Sequence, residues 1–138
     1  MTRTIAPLAL SLCLVACVPV QTRQAAALME STIVPSSDAI FNAVIYTNGQ
    51  LVASPQVDAD WARLNDHAQN LRAAGTTLKA LAPTDAPADW LHQSDAMRDA
   101  ATAAMAAIED RNLDGVLDAG SRLYDTCTAC HQRYVPEN

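Results

Sequence analysis

Four stretches of this chain carry apolar residues at intervals of three and four, and this spacing constrains the fold more than any other feature. Such spacing places the apolar side chains on one face of an α-helix. The composition agrees, because alanine is abundant while glycine and aromatic residues are scarce. The second stretch shows the pattern most clearly, at Trp61, Leu64, Ala68, Leu71, Gly75 and Leu78.

The breaks between these stretches predict where the helices begin and end. The first helix is predicted over 25–46, with Pro35 causing either a kink or a division into two pieces. Thr47-Asn48-Gly49 predicts a turn or a helix stop, and no alternating apolar pattern competes with the helices. The other helices are predicted over 54–81, 88–110 and from about 113 to Pro136. Four helices with short connections predict an all-α, antiparallel four-helix bundle.

The last helix carries Cys127-Thr128-Ala129-Cys130-His131 near its end. Cys-x-x-Cys-His is the spacing of covalent c-type haem attachment, in which two thiols add to vinyl groups and the imidazole ligates iron. In a helix, Cys127, Cys130 and His131 share one face, because they lie three and four positions apart. Both cysteines also continue the apolar stripe. The sequence therefore predicts one covalent haem c, near the C-terminus of the last helix, that replaces side chains at one end of the core.

Two other interpretations of the cysteine pair compete with haem attachment. A redox dithiol uses the same Cys-x-x-Cys, but it usually lies at a helix start after a strand, and no strand is predicted here. A zinc site needs about four ligands, and the exported chain has no second Cys or His pair. Haem attachment is therefore the favoured interpretation.

Residues 1–16 have the features of a bacterial signal peptide. Arg3 provides a positive start, and the apolar run from Ile5 to Val15 is too short to span a membrane stably. Leu14-Val15-Ala16-Cys17 is similar to a lipobox, in which the cysteine is acylated. This predicts a lipidated Cys17, a tether over 17–24 and a haem-binding domain over 25–138. An ordinary secretory signal, cut after Ala25-Ala26-Ala27, is the alternative.

Export and a lipid anchor also predict a location. Val18 follows Cys17, and resemblance to the sorting rule of bacterial lipoproteins implies a periplasm-facing protein anchored to the outer membrane. Cysteine usage agrees with export, because haem c is attached outside the cytoplasm. Cys13 would leave with the signal peptide, so no thiol remains for a disulfide.

The charge balance bears on partners. Nine Lys and Arg residues stand against fifteen Asp and Glu residues, a formal net charge of −6. This argues against nucleic-acid binding, which needs a basic face. A redox partner that docks electrostatically would offer a basic surface, although a generally solvated acidic surface explains the charge equally well.

The last predicted helix carries Cys127-Thr128-Ala129-Cys130-His131, and Arg133-Tyr134 follow this motif closely. Together with the four-helix pattern, these residues resemble the class II c-type cytochromes. These include cytochrome c′ and the low-spin cytochromes c-556. Leu28-Met29, followed by Ile33, Pro35 and Ile40, is also similar to members of that group. Pro35 is a departure from the common pattern, because only a subset of relatives has a proline there. The resemblance covers residues 25–136 and implies that His131 is the proximal iron ligand. The resemblance leaves a homodimer open because many relatives dimerise. No Ser/His/Asp constellation or glycine-rich phosphate loop occurs in the sequence, so an enzyme is not predicted.

Relatives differ on the other side of the iron. In c-556-like members a methionine of the first helix ligates it; in c′-like members that side is an apolar wall and the iron binds NO or CO. Met29 is the distal candidate, while Met97 and Met105 are assigned to the core. An electron carrier with low-spin haem held by His131 and Met29 is favoured. The alternatives are a five-coordinate NO- or CO-binding protein, in which Met29 only packs, and a bundle in which haem is only a structural staple.

Three further residues near the motif are assigned to the haem environment. Tyr124 and Tyr134 lie one turn to either side of the motif and are predicted to pack against the macrocycle. Arg133 either lies near the haem edge or interacts with the negative end of its helix dipole.

Overall fold

The computed structural model describes residues 20–85 and 87–135, and 78% of them are helical. The expectation of a mostly helical chain is confirmed. The predicted signal peptide over 1–16 and the predicted lipidation site Cys17 lie outside the described residues and stay predictions. No helix within the described ranges is long and apolar enough to cross a membrane.

The described chain contains four helical segments and one β-hairpin. The first helical segment is continuous and has three parts, α1 (Val20–Leu28), a π-helical segment (Met29–Ile33) and α2 (Val34–Phe41). The hairpin strands are β1 (Ile45–Thr47) and β2 (Gln50–Ala53). The remaining helices are α3 (Asp58–Ala80), α4 (Pro87–Glu109) and α5 (Leu113–Tyr134).

The first helix is shorter at its C-terminal end than the sequence predicted. A helix through Tyr46 was expected, but α2 ends at Phe41 and Tyr46 lies in β1. Asn48 and Gly49 have positive φ angles of 52° and 76°, which is the combination found in a two-residue type I′ hairpin turn. The predicted turn or helix stop is therefore the loop of a hairpin, and the prediction that no strand is present was wrong.

Pro35 leaves the first helix unbroken. The chain passes from α1 to α2 through the π-helical segment, in which the N–H of Val34 donates to the carbonyl oxygen of Met29. The residues predicted as a tether are helical from Val20 onward. At the other end of the hairpin, α3 begins at Asp58 instead of Ser54.

The helices pack around a buried core, and α3 approaches α4 closely at a glycine. α4 contacts both α3 and α5, and α2 also contacts both of these helices. Leu71, Val116 and Leu123 are almost completely buried in the core. Gly75 marks a close approach of α3 to α4, because a Cβ atom there would overlap the Cγ atom of Arg98 and lie 3.0 Å from the carbonyl oxygen of Ser94.

Polar and aromatic contacts join the end of α3, the start of α4 and the end of α5. The indole Nε1 of Trp90 donates to the carbonyl oxygen of Leu78 over 2.5 Å. The Trp90 ring packs edge-to-face on Tyr134, with ring centroids 5.0 Å apart. Arg133 Nε lies 2.8 Å from Asp89 Oδ2. These contacts hold the helix ends that surround the cavity described below.

We expect Gly75→Ala to lower the free energy of unfolding by about 1 kcal/mol, because overpacking costs about 1–3 kcal/mol and alanine returns about 1 kcal/mol of helix propensity. Gly120→Ala is the matched control. A Cβ at position 120 would meet Ile40 and Phe41 atoms at ordinary distances of 3.7 and 3.8 Å, so this variant should be unchanged or more stable. Urea unfolding followed by circular dichroism measures both; equal effects would contradict the close approach at Gly75.

Candidate functional site

A cavity of about 560 Å³ opens among the helical segments. Its wall is mostly apolar and is built by the π-helical segment, α2, α3, α4 and α5. Ligand sites in proteins usually occupy about 300–1,000 Å³ and have apolar walls with a few placed polar groups. The cavity therefore has the size and lining of a binding site for a largely apolar group.

The three chemically distinctive residues of the Cys-x-x-Cys-His motif all line this cavity. Cys127, Cys130 and His131 project from α5 toward it, as expected of residues spaced three and four apart on a helix. Both cysteines are half-buried, and Cys127 also packs against the hydrophobic core. His131 is solvent-exposed overall. Two thiols and an imidazole are thus presented to one volume.

The surroundings of the two thiols favour neutral sulfur. Burial raises the pKa of Cys127 above the usual 9.0, and the nearby Cys130 sulfur raises it further. Burial also raises the pKa of Cys130. Redox dithiols have lowered thiol pKa values, so the environment here differs from theirs, whereas a thioether sulfur is neutral and suits it.

Met29 lines the same cavity from the π-helical segment. Its side chain is half-buried and packs against the core. The cavity therefore receives a thioether from the first helical segment and an imidazole from the last. Met97 is buried at 4% exposure and also lines the cavity, while Met105 is half-buried against the core.

The three residues assigned to the haem environment occupy different positions. Tyr124 lines the cavity, is 61% exposed and packs edge-to-face on Phe41, with ring centroids 6.2 Å apart. Tyr134 instead packs on Trp90. Arg133 is paired with Asp89 at the start of α4. Of these three side chains, Tyr124 is the one that the structure brings to the cavity wall.

Ser37 lines the cavity but was not among the site residues predicted from the sequence. Its hydroxyl oxygen is buried and has no hydrogen-bond partner within the described part of the chain. A buried hydroxyl without a partner costs about 1–3 kcal/mol, so a polar atom of a bound group or a water molecule is expected beside it. Ser37 lies four positions after Ile33 and eight after Met29. This spacing was the sequence signal that could have placed Ser37 on the same helix face as Met29.

The described residues hold no cluster of three or more His, Cys, Asp or Glu side chains that is arranged to bind a metal ion. No protein-family model matches the chain, and no curated protein or solved structure matches it. The functional interpretation therefore depends on the motif and on the geometry of the cavity.

We expect the thiols of Cys127 and Cys130 to react slowly with iodoacetamide in the chain produced without haem. Because burial raises both thiol pKa values, less thiolate is present in the folded chain than in the same chain unfolded in urea. The pH of half-maximal alkylation should therefore be higher for the folded form. Above about pH 9 the unfolded chain loses its thiol protons first, so the free energy of unfolding should fall as the pH rises. Faster alkylation of the folded form would instead favour a redox dithiol.

Proposed function

We propose that this protein is a mono-haem c-type cytochrome of the class II type that carries electrons in the periplasm. One observation carries the proposal: Cys127, Cys130, His131 and Met29 line a single cavity of about 560 Å³. The motif spacing identifies the covalent attachment chemistry. The buried, unpartnered hydroxyl of Ser37 supports an occupant that fills this cavity.

The cysteines of the motif hold the haem covalently in this proposal. Each thiol of Cys127 and Cys130 would add across one vinyl group of the haem: an S–H bond would break, an S–C bond would form and the hydrogen would move to the other vinyl carbon. No oxidant is needed, because the addition changes no net oxidation state. The resulting thioethers are neutral, which agrees with the raised pKa values of both thiols.

His131 and Met29, which both line the cavity, would ligate the haem iron. An imidazole nitrogen and a thioether sulfur are the pair that raises the reduction potential of c-type haem. Haem bound in this way supplies a reversible one-electron couple. Buried apolar side chains of the cavity wall, among them Ile33 and Met97, exclude water and keep both ligands in place.

The helix contacts support the antiparallel four-helix bundle of the class II cytochromes. The connections between α3 and α4 and between α4 and α5 are short, as in bundles of antiparallel neighbours. The pairing of Arg133 with Asp89 joins the end of α5 to the start of α4, which is the arrangement of two antiparallel helices. We therefore infer this topology, with the haem near the end of α5.

The cellular setting in this proposal follows from the sequence. A lipidated Cys17 would tether the protein to the outer membrane, and the haem domain would face the periplasm. The acidic chain, with its formal charge of −6, favours a redox partner that offers a basic docking surface.

The visible absorption spectrum tests haem attachment and ligation together. We expect the purified protein to carry one haem that denaturants do not extract, with a low-spin spectrum that CO does not change. Replacing both Cys127 and Cys130 by serine should abolish covalent attachment, because serine forms no thioether. Thr128→Ser, within the same motif, is the control and should keep the haem. A protein without covalent haem would refute the proposal, while a high-spin spectrum that shifts with CO would favour the NO- or CO-binding alternative.

We expect Met29→Ala to lower the reduction potential by on the order of 100 mV. This is a small part of the range of roughly 0.8 V over which axial ligands set haem reduction potentials. The variant should also lose the sulfur-to-iron charge-transfer band and bind CO in the ferrous state. Met105→Ala removes a half-buried methionine of α4 that packs on the core and should leave potential and spectrum unchanged. A Met29→Ala protein with the original potential would show that Met29 only packs in the cavity.

A further inference from the structure

The π-helical segment begins at Met29, the proposed distal ligand. In this segment the N–H of Val34 donates to the carbonyl oxygen of Met29, five positions earlier. Met29, Ile33, Ser37 and Phe41 line the cavity at intervals of four, and Val34 and Asp38 line it beside them. The cavity face of the first helical segment therefore contains a stripe with a spacing of four over three turns, which joins Met29 to α2.

A regular α-helix does not keep such a stripe straight. With about 100° of rotation per residue, each step of four positions overshoots a full turn by about 40°. From Met29 to Phe41 the accumulated drift would be about 120°, enough to turn one end of the stripe away from the cavity. A π-helical turn holds more residues than an α-helical turn, because its hydrogen bonds run from i to i+5. The π segment therefore reduces the drift and keeps Met29 in line with Ser37 and Phe41.

Pro35 explains why the helix widens at this place. Proline has no N–H to donate, and in a regular α-helix its ring clashes with the carbonyl group four residues earlier, which here belongs to Ser31. Widening of the preceding turn moves that carbonyl group away. Pro35 follows directly after Val34, the residue whose N–H closes the π-helical bond, so the cause and the distortion are adjacent.

The two flanks of the π segment are held unequally. α2 contacts α3 and α5 and buries Ser36, Ser37 and Ile40. The π segment itself contacts α3. The contacts of α1 are chiefly with the adjoining π segment of the same helix, and among residues 21–28 Ala25 is buried and Leu28 is half-buried against the core. If the widened turn relaxed to regular α-helix, α2 would stay in place. α1 and Met29 would rotate by about one residue, or about 100°.

We propose that Pro35 is a positioning residue for Met29: it maintains the π-helical segment, and that segment directs the Met29 side chain into the cavity. The proposal rests on the proposed function for the role of Met29 as an iron ligand. The position of Met29 in the cavity can be measured independently of ligation.

The test uses Pro35→Ala in the complete haem-loaded protein. The helix should relax, and Met29 should become oxidised by chloramine-T several-fold faster than in the original protein, as mapped by peptide mass spectrometry. Met97, at 4% exposure, is the internal reference and should stay protected. The sulfur-to-iron charge-transfer band should disappear, and ferrous haem should bind CO. Pro55→Ala, at a proline outside the helices, is the matched control and should change none of these.

A rescue variant separates positioning from general damage to the fold. Deleting the exposed residue Ser31 from the Pro35→Ala protein removes the extra residue that the π turn accommodates. A regular α-helix then brings α1 and α2 back into their original phase. Protection of Met29 from oxidation, the charge-transfer band and resistance to CO should all return.

Three results would overturn the proposal. The first is unchanged protection of Met29 in Pro35→Ala, and the second is loss of helical circular dichroism in that variant. The third is failure of the Ser31 deletion to restore the protection of Met29. Failure of the proposed function looks different, because it would appear as absent haem or CO binding in the original protein. Even then, the oxidation rates of Met29 would still decide whether Pro35 positions this side chain.

Discussion

The close approach of α3, α4 and α5 through small side chains is the constraint on which the rest of the structure depends. Ala68, Ala101, Ala104 and Ala119 are almost fully buried, and Gly75 lies against the α4 backbone. Small residues leave little freedom in the distance between helices, since interiors pack at crystal-like density. Trp90 then bridges the ends of two helices, through the carbonyl group of Leu78 and the ring of Tyr134. A rigid frame of this kind can keep a large cavity open beside a tightly packed core.

The chemistry of the cavity is consistent with a largely apolar occupant that is attached through neutral sulfur. Burial disfavours charge on both thiols, and the wall is mostly apolar. Covalent attachment through neutral sulfur would fill this space without burying a charge on the cysteines. Under the proposed function, the two axial ligands come from the first and last helical segments, so the same packing that holds the helices together would also set the coordination of the iron.

The β-hairpin shows how local turn chemistry can override an apolar pattern. Val44 is buried, as the predicted helical stripe required, but Ile45 and Tyr46 are exposed in β1. The Asn48-Gly49 pair adopts positive φ angles at both positions, which favours a tight hairpin. The same dipeptide was available in the sequence as a hairpin signal. It also predicts a turn or a helix stop, and strands of three and four residues are too short to show the alternating pattern that would favour a hairpin.

By itself, the sequence determined the helical character of most of the chain and the common face of Cys127, Cys130 and His131. Both depend on local spacing along a helix, which needs no knowledge of the neighbouring segments. Only the tertiary structure decided that Met29, Ser37 and Phe41 share a cavity with that motif, and that Tyr134 and Arg133 pair with Trp90 and Asp89 instead. The reason is physical: the direction of Met29 depends on a π-helical turn and on contacts between segments far apart in the chain, which apolar periodicity does not encode.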